Sequence, residues 1–415
     1  MASLRRRFGG RGKRLRVAGF GALLVLVSAC ESGDIGRRGP SQRDASPPST
    51  RHHEGSATTG AGNRAAPVQK DVEPAPPTSF TLVATGDILT HSTVYEKALE
   101  NGGNRYDFDP MFREVEPLLS AADLAICHLE TPLSRDNQDL SSYPNFNVPR
   151  QLADAIGKAG YDYCSTASNH SYDQGLQGVR ATLDALDSAG VRHNGTARRS
   201  GKADHPELFE VNGAEVGLLS YTYGLNGGEL PENESWLVDV IDSPTILREA
   251  RAARGAGADF VVVSLHWGLE YQVAPSTDQL TLARQLLRSN AIDLILGHHA
   301  HVVQPIGRVR KEYVVYGMGN FLADQSIACC AEATRHGVIV KFEVQDQGGD
   351  LRVEKVIYTP TWVPYGNYVI TPVARALGDP STPADTRATL KLSWKRTTTA
   401  IRSLGAGKFG RVRQP

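Results

Sequence analysis

The sequence predicts an α/β domain on mainly parallel, buried strands, and three observations predict it. Apolar runs of four to seven residues recur from Phe80 onward: "FTLVAT", "DLAIC", "YDYCST", "DFVVVSL" and "IDLILG". Between them lie stretches with apolar residues at helical spacing, such as "PRQLADAIGKAG", "GLQGVRATLDALDSAG" and "STDQLTLARQLLRSN". Many of the runs stop abruptly on polar residues. Short continuous apolar runs read as strands covered on both faces, and their alternation with amphipathic helices reads as βαβ units.

Taken in order, "FTLVAT" is a strand that stops at Gly86-Asp87, and helical periodicity follows in "VYEKALE" and "PMFREVEPLLSAA". "DLAIC" and "YDYCST" are the next strands, each followed by a helix. "LFEVNGAEVGLLSYT" has a different pattern. Asn212-Gly213 between two apolar runs predicts a tight hairpin turn. "EYVVYGMGN" is a further strand, and "GVIVKFEVQDQGGDLRVEKVIYTP" predicts a second hairpin through Gly348-Gly349. No internal repeat is present. Residues 79–370 therefore read as one α/β domain whose later part is richer in antiparallel strands.

The flanks read differently. "RRRFGGRGKRLR" followed by the thirteen apolar or small residues of "VAGFGALLVLVSA" is too short to span a bilayer and fits a signal peptide over residues 1–29. "LVSAC" resembles the lipobox of bacterial lipoproteins, which places lipidation on Cys30 and the mature chain on the outer, extracytoplasmic face of the membrane. Residues 30–78 are rich in Ser, Pro, Gly, Ala, Arg and Asp and predict a disordered tether. Residues 371–415, ending in "KRTTTAIRSLGAGKFGRVRQP", read as a partly disordered basic tail. The formal net charge of the 415-residue chain is zero, which leaves no electrostatic footprint for nucleic acid. Beyond Cys30 there are four cysteines, none in CxxC spacing. Cys127 and Cys164 both end apolar runs, so adjacent parallel strands could bring them together.

Chemistry-bearing residues gather where the predicted strands stop. The first strand offers Asp87, with His91 beyond it, and the second offers Glu130. The third gives Asn169, His170 and Asp173, and a later one gives His266, Glu270 and Tyr271. "GHHAH" supplies His299 and His301, and "YGMGNFLADQ" supplies Asn320, Asp324 and Gln325. Ligands of open α/β sheets bind outside the carboxyl ends of the strands, where such loops converge. A lone strand-terminal Asp is more often a turn former or helix cap. Two histidines one residue apart are a stronger signal, since imidazole suits divalent transition metals.

In chain order, "TGDILTHS", "ADLAICHLETPLS", "STASNHSYDQG", "SLHWGLEYQ", "GHHAHVVQPI" and "VVYGMGNFLADQ" resemble the CapA family of poly-γ-glutamate capsule synthesis proteins, over roughly Phe80 to Asp324. That family is similar to the calcineurin-like metallophosphoesterases, which implies a four-layer αββα sandwich with two divalent ions (Mn, Zn or Fe) at one edge. The resemblance makes Asp87, Glu130, Asn169, His266, His299 and His301 the metal ligands, with His91 a further candidate. His170 becomes the catalytic residue beside the metals. Asp173 is placed to orient it or to cap the helix starting at Gly175, capping being the commoner use. Glu270, Tyr271, Asn320, Asp324 and Gln325 are substrate-binding candidates, and His298 falls outside the His-x-His pair. There are departures from the pattern. The usual Asp-x-His is absent, Glu130 replaces a bridging Asp, and His128 stands where Asn is usual.

Two function classes follow from the resemblance. One is a cell-surface dinuclear-metal hydrolase using metal-bound hydroxide on a phosphoester or γ-glutamyl-type bond. The other is a non-catalytic accessory lipoprotein for polymer export or anchoring. The partners implied are an anionic surface polymer or its precursors, the membrane, and a capsule synthesis complex. A TIM-barrel amidohydrolase fits less well, because the predicted hairpins interrupt the regular βα repeat.

Overall fold

The computed structural model describes residues 78–200, 207–325, 329–406 and 412–413. The expected signal segment, Cys30, nearly all of the tether and the end of the tail lie outside them. From its start the described chain runs β1 (Ser79–Leu89), α1 (Ser92–Gly102), α2 (Asp109–Phe112) and α3 (Glu116–Leu119). Next come β2 (Leu124–Leu129), α4 (Gln151–Lys158), β3 (Tyr163–Ser165), α5 (Gly175–Ser188) and β4 (Arg192–Asn194). A second series holds β5 (Glu207–Val211), β6 (Ala214–Thr222), α6 (Ser243–Gly255), β7 (Phe260–His266) and α7 (Thr277–Leu287). It ends with β8 (Leu294–His298), β9 (Ile306–Val309) and β10 (Glu312–Val315). The remainder is β11 (Asn320–Ala323), β12 (His336–Asp346), β13 (Leu351–Trp362), β14 (Thr371–Pro372), α8 (Val373–Gly378), α9 (Ala384–Arg402) and β15 (Val412–Arg413).

Two mixed sheets form. One has the order β14-β13-β12-β1-β2-β3-β4, with β11 also on β1 and β15 on β13; the other runs β5-β6-β7-β8-β10-β9. At the heart of each sheet the strands are parallel: β11, β1, β2, β3 and β4 in the first, β6, β7, β8 and β10 in the second. Period-two alternation sorts their side chains into separate layers. Leu82 and Ala84 of β1 and Ile126 of β2 face Val216, Phe260, Val262 and Leu294 in the core between the sheets. Val83, Ala125 and Cys127 turn the other way, onto apolar residues of α1–α5. Val261 and Val263 of β7 pack on Ile246 and Ala250 of α6 and Leu286 of α7. The result is the four-layer αββα sandwich, in which strands buried on both faces must be continuously apolar.

Both expected hairpins are present. Asn212 and Gly213 take positive φ of 51° and 81° between β5 and β6, and Gly348 and Gly349 take 80° and 97° between β12 and β13. Cys127 and Cys164 lie opposite each other on β2 and β3 and form a disulfide with a Cα–Cα distance of 4.5 Å. A second disulfide joins the adjacent Cys329 and Cys330. Residues 371–406 depart from the expected loose tail. They form β14, α8 and α9, the last a 19-residue helix that buries Leu390, Ser393, Thr397, Ala400 and Ile401. Those positions share one helical stripe, and the run of Arg, Lys and Thr between them masks it in the sequence. None of the described helices is long and apolar enough to cross a membrane.

Candidate metal centre

The parallel strands of both sheets end at the same edge, and the polar residues at their ends meet there. Register alone puts Asp87 beside His128 and Asn320 within the first sheet, and His266 beside His298 in the second. Close backbone approach makes this possible. A Cβ on Gly86 would lie 1.9 Å from the Gly319 carbonyl oxygen, the same atom that accepts the Asp87 N–H at 2.9 Å. Only glycine lets β1 and β11 converge there. The His-x-His loop carries strain of its own. His299 and His301 both adopt positive φ, 85° and 56°, a conformation that costs on the order of 1–3 kcal/mol per residue and concentrates at functional sites.

The carboxylate of Glu130 sits at the centre. Its side chain is fully buried, and neither oxygen has a hydrogen-bond partner. Around it stand His266 Nε2 at 3.9 Å and His301 Nε2 at 3.8 Å. Asp87 lies alongside, its Oδ2 3.4 Å from His301 Nδ1, and it accepts hydrogen bonds from His298 Nδ1 (3.0 Å) and the His299 N–H (3.2 Å). Burial works against the Asp87 charge, but hydrogen bonds from His298 and His301 hold it well below the usual carboxylate range. Burial, reinforced by the charges of Asp87 and Glu270, pushes the Glu130 carboxyl well above its ordinary range, against the pull of His301. Burial would also depress the His301 imidazole, yet Glu130 and Asp87 outweigh it and push its pKa up to about 9. The protein alone thus leaves a buried carboxyl without partners and an excess proton on its neighbour. A divalent cation would displace the proton and satisfy both oxygens.

His266 is tuned by a relay. Ser165 Oγ lies 2.8 Å from His128 Nδ1, His128 Nε2 lies 2.9 Å from His266 Nδ1, and His266 Nε2 lies 2.9 Å from Asn169 Oδ1. Asn169 Nδ2 donates to Asn226 Oδ1 at 3.0 Å, which fixes the amide so that its oxygen faces His266. With the proton on His266 Nδ1, its Nε2 lone pair joins Asn169 Oδ1 and the Glu130 carboxylate in a convergent set of acceptors, which is what a cation needs. Burial and the surrounding histidines keep His266 well below the ordinary histidine pKa, and burial with His301 brings His299 down to about 3, so both are neutral donors.

Asp87, Glu130 and His301 place donor atoms within 4.8 Å of one another, as do His128, Glu130 and His266, and Glu270, His299 and His301. Asp87, Glu130, His266, His299 and His301 thus lie at one edge with Asn169 beside His266, and their donor chemistry is compatible with divalent metal. His91 is not drawn into these groups. Its Nδ1 is engaged by the Leu89 carbonyl at 2.9 Å and the Asp324 N–H at 3.2 Å.

His170 is buried, with its Nδ1 2.8 Å from Asp173 Oδ2. Asp173 does not cap α5, whose N-cap is Gln174 without a side-chain bond. Its Oδ2 instead accepts the Phe146 N–H at 2.7 Å and orients His170. Asn320 and Gln325 make their hydrogen bonds within the protein. Asn320 is 1% exposed, bonds His301 Nδ1 through Oδ1 at 3.0 Å, and donates through Nδ2 to Gln325 Oε1 and the Thr334 carbonyl. Gln325 is 7% exposed and also reaches Tyr271 Oη. Tyr271 has its ring 6.1 Å from His301, and Asp324 accepts a hydrogen bond from Thr93 at the rim. His298 proves to be the neighbour that bonds Asp87, stacked on His128 at 4.0 Å.

Sequence reasoning noted His128 only as a departure from the family pattern and did not single out Ser165, Tyr223 or Asn226. A role for His128 was within reach, because it lies near the end of β2, two residues before Glu130. Tyr223, whose ring lies 4.5 Å from His299, and Asn226 come from the loop after β6, where no pattern marks them.

The family described as bacterial capsule synthesis protein PGA_cap matches residues 81–325, which hold every residue of this centre. The capsule biosynthesis protein CapA of Bacillus anthracis is 28% identical over 276 residues, 65% of this chain and 65% of that protein. The PGA biosynthesis protein CapA of Bacillus subtilis is 27% identical over 266 residues, 63% of this chain and 67% of that protein. The match thus spans just under two thirds of the first relative's length. Among solved structures, the calcineurin-like phosphoesterase YfkN from Bacillus subtilis superposes with a TM-score of 0.44 at 14% identity, covering 79% of this chain and all of that one.

Proposed function

The chain belongs to the bacterial capsule synthesis protein family PGA_cap, and from that premise we propose that it is a metal-dependent hydrolase of envelope-polymer synthesis. Its substrate would carry a phosphoester or a γ-glutamyl-type amide, in an anionic surface polymer or its precursor. The observation that carries this reading is the fully buried, unpartnered Glu130 carboxylate between His266 and His301. When bound, two divalent ions (Mn, Zn or Fe) would supply Lewis acidity toward an oxyanion and lower the pKa of attacking water.

The chain's own residues divide the remaining work. Asp87 and Glu130 offset cation charge, while the neutral His266 and His299 offer nitrogen donors without having to lose a proton. Asn320 holds His301 by its Nδ1, which leaves Nε2 toward Glu130. His170 directs Nδ1–H at Asp173, so Nε2 is the atom that faces substrate. As general acid it would start as the imidazolium, stabilised by the Asp173 carboxylate, give its Nε2 proton to the leaving group and end neutral with Nδ1–H retained. Tyr223 and Tyr271 set their rings beside His299 and His301. The remaining part of the reading rests on sequence: lipidation at Cys30 would hold this domain outside the membrane, beside the polymer and its synthesis complex.

The test is turnover by the purified chain of an aryl phosphodiester and a γ-glutamyl anilide with added Mn, Zn or Fe. The expected result is metal-dependent hydrolysis of one of them, abolished by a chelator and by Asp87→Ala. Bound metal with no turnover of either substrate would favour the accessory role in export or anchoring.

A further inference from the structure

The two cation positions around Glu130 are unequally provided. One is bordered by Glu130, Asn169 and His266, with the His299 ring 4.7 Å from that of His266. The other has only Asp87, Glu130 and His301. Strand β1 has nothing more to give it. Leu89, two residues after Asp87, is 2% exposed and packs in the helix-facing core, and His91 is turned to the Leu89 carbonyl.

A further carboxylate stands beside His301 on the exposed side. A Glu270 carboxylate oxygen lies within 4.8 Å of the ligating atoms of both His299 and His301, although the residue itself is exposed. Its loop is tied to the His-x-His loop at three places. The Trp267 N–H bonds the His298 carbonyl at 3.3 Å, the Tyr271 N–H bonds the Ala300 carbonyl at 2.8 Å, and Gln304 Nε2 bonds the Gln272 carbonyl at 2.8 Å. Tyr271 takes a positive φ of 63° to make the turn. Backbone that is strained and cross-linked beside a partnerless buried carboxylate is built to hold Glu270 where it is.

We propose that Glu270 is itself a metal ligand, completing from the solvent side the position formed by Asp87, Glu130 and His301. This rests on the metal-centre reading above. It gives that position three carboxylates and one imidazole, a harder donor set than the other, which favours Mn²⁺ over Zn²⁺. The ligand is also the one exposed to solvent, so this position should load last and exchange fastest.

The experiment titrates Mn²⁺ into the chelator-stripped full chain by calorimetry and follows the Mn²⁺ electron spin resonance. Wild type should take two equivalents and show a coupled pair. Glu270→Gln and Glu270→Ala should keep one equivalent at wild-type affinity, weaken the other at least tenfold, and give an isolated-ion spectrum. The exposed Leu269→Ala, on the same loop, should bind as wild type. Two equivalents of unchanged affinity in both Glu270 variants would overturn the proposal and leave the metal-centre reading standing, whereas no binding by wild type would end both. Equal weakening in Leu269→Ala would assign the effect to loop structure and also overturn it. Unchanged thermal melts of the variants exclude a folding defect.

Discussion

The half of the centre around His266 and the half around Asp87 are held by different physics. His266 is fixed by a buried chain of neutral groups running from Ser165 through His128, and Asn169 by Asn226. Asp87 and His301 are also hydrogen-bonded, by His298 and Asn320, but with Glu130 they add charge: two buried carboxyl groups and an imidazole that retains its proton until about pH 9. Side-chain hydrogen bonds of this kind orient metal donors and persist across neutral pH. A charge-held set depends on which cation, proton or metal, is present. One half is preorganised, and the other is completed by what binds.

That contrast can be broken by mutation. Asp87→Ala should remove one equivalent of bound metal outright and abolish metal-dependent turnover, while the His266 half keeps its ion. Loss of both equivalents in elemental analysis would show that the halves are not separable. The next largest effect should come from pH. Below about 9, a metal entering the Asp87 half must displace the proton on His301, so its affinity should rise about tenfold per unit from pH 7 to 9 and level off above. His266 and His299 are depressed below neutrality, so the other half has no histidine proton to release, and its only pH dependence should come from the shared, raised Glu130 carboxyl. Titrations at pH 7, 8 and 9 would contradict this if both steps moved together.

His128→Ala should cost about 10–100-fold in affinity at the His266 half, as loss of a supporting hydrogen bond does elsewhere. Ser165→Ala, one bond further out, should cost less, and an equal loss in competition titrations would argue against a relay. The smallest effect on metal should come from Cys127→Ser with Cys164→Ser. That disulfide lies beneath His128 and Ser165 on the same two strands and closes a separation of 37 residues. Its removal should lower unfolding free energy by about 2–4 kcal/mol in denaturant titration and leave metal stoichiometry at two.

The sandwich was legible because strands buried on both faces are continuously apolar and helices between them are not. The candidate donors were legible because each lies at or shortly after the end of a strand. What escaped falls into two kinds. The stripe of α9 was hidden by the lysines, arginines and threonines around Leu390, Ala400 and Ile401. Asn320 and Gln325 looked like substrate contacts because strand-end amides are ambiguous until their partners are seen. Both spend their hydrogen bonds inside the protein. Glu270 was noticed for its place after β7, but only the folded loop brings it to His299 and His301.

The central claim is that Glu130 is shared by two cations. Anomalous diffraction from crystals of the chain grown with Mn²⁺ or Zn²⁺ tests it directly. Two peaks about 3.5–4 Å apart, flanking the Glu130 carboxylate, with Asp87 and His301 on one and Asn169, His266 and His299 on the other, is the predicted result. A centre without anomalous density, or a single ion bound away from Glu130, would contradict it.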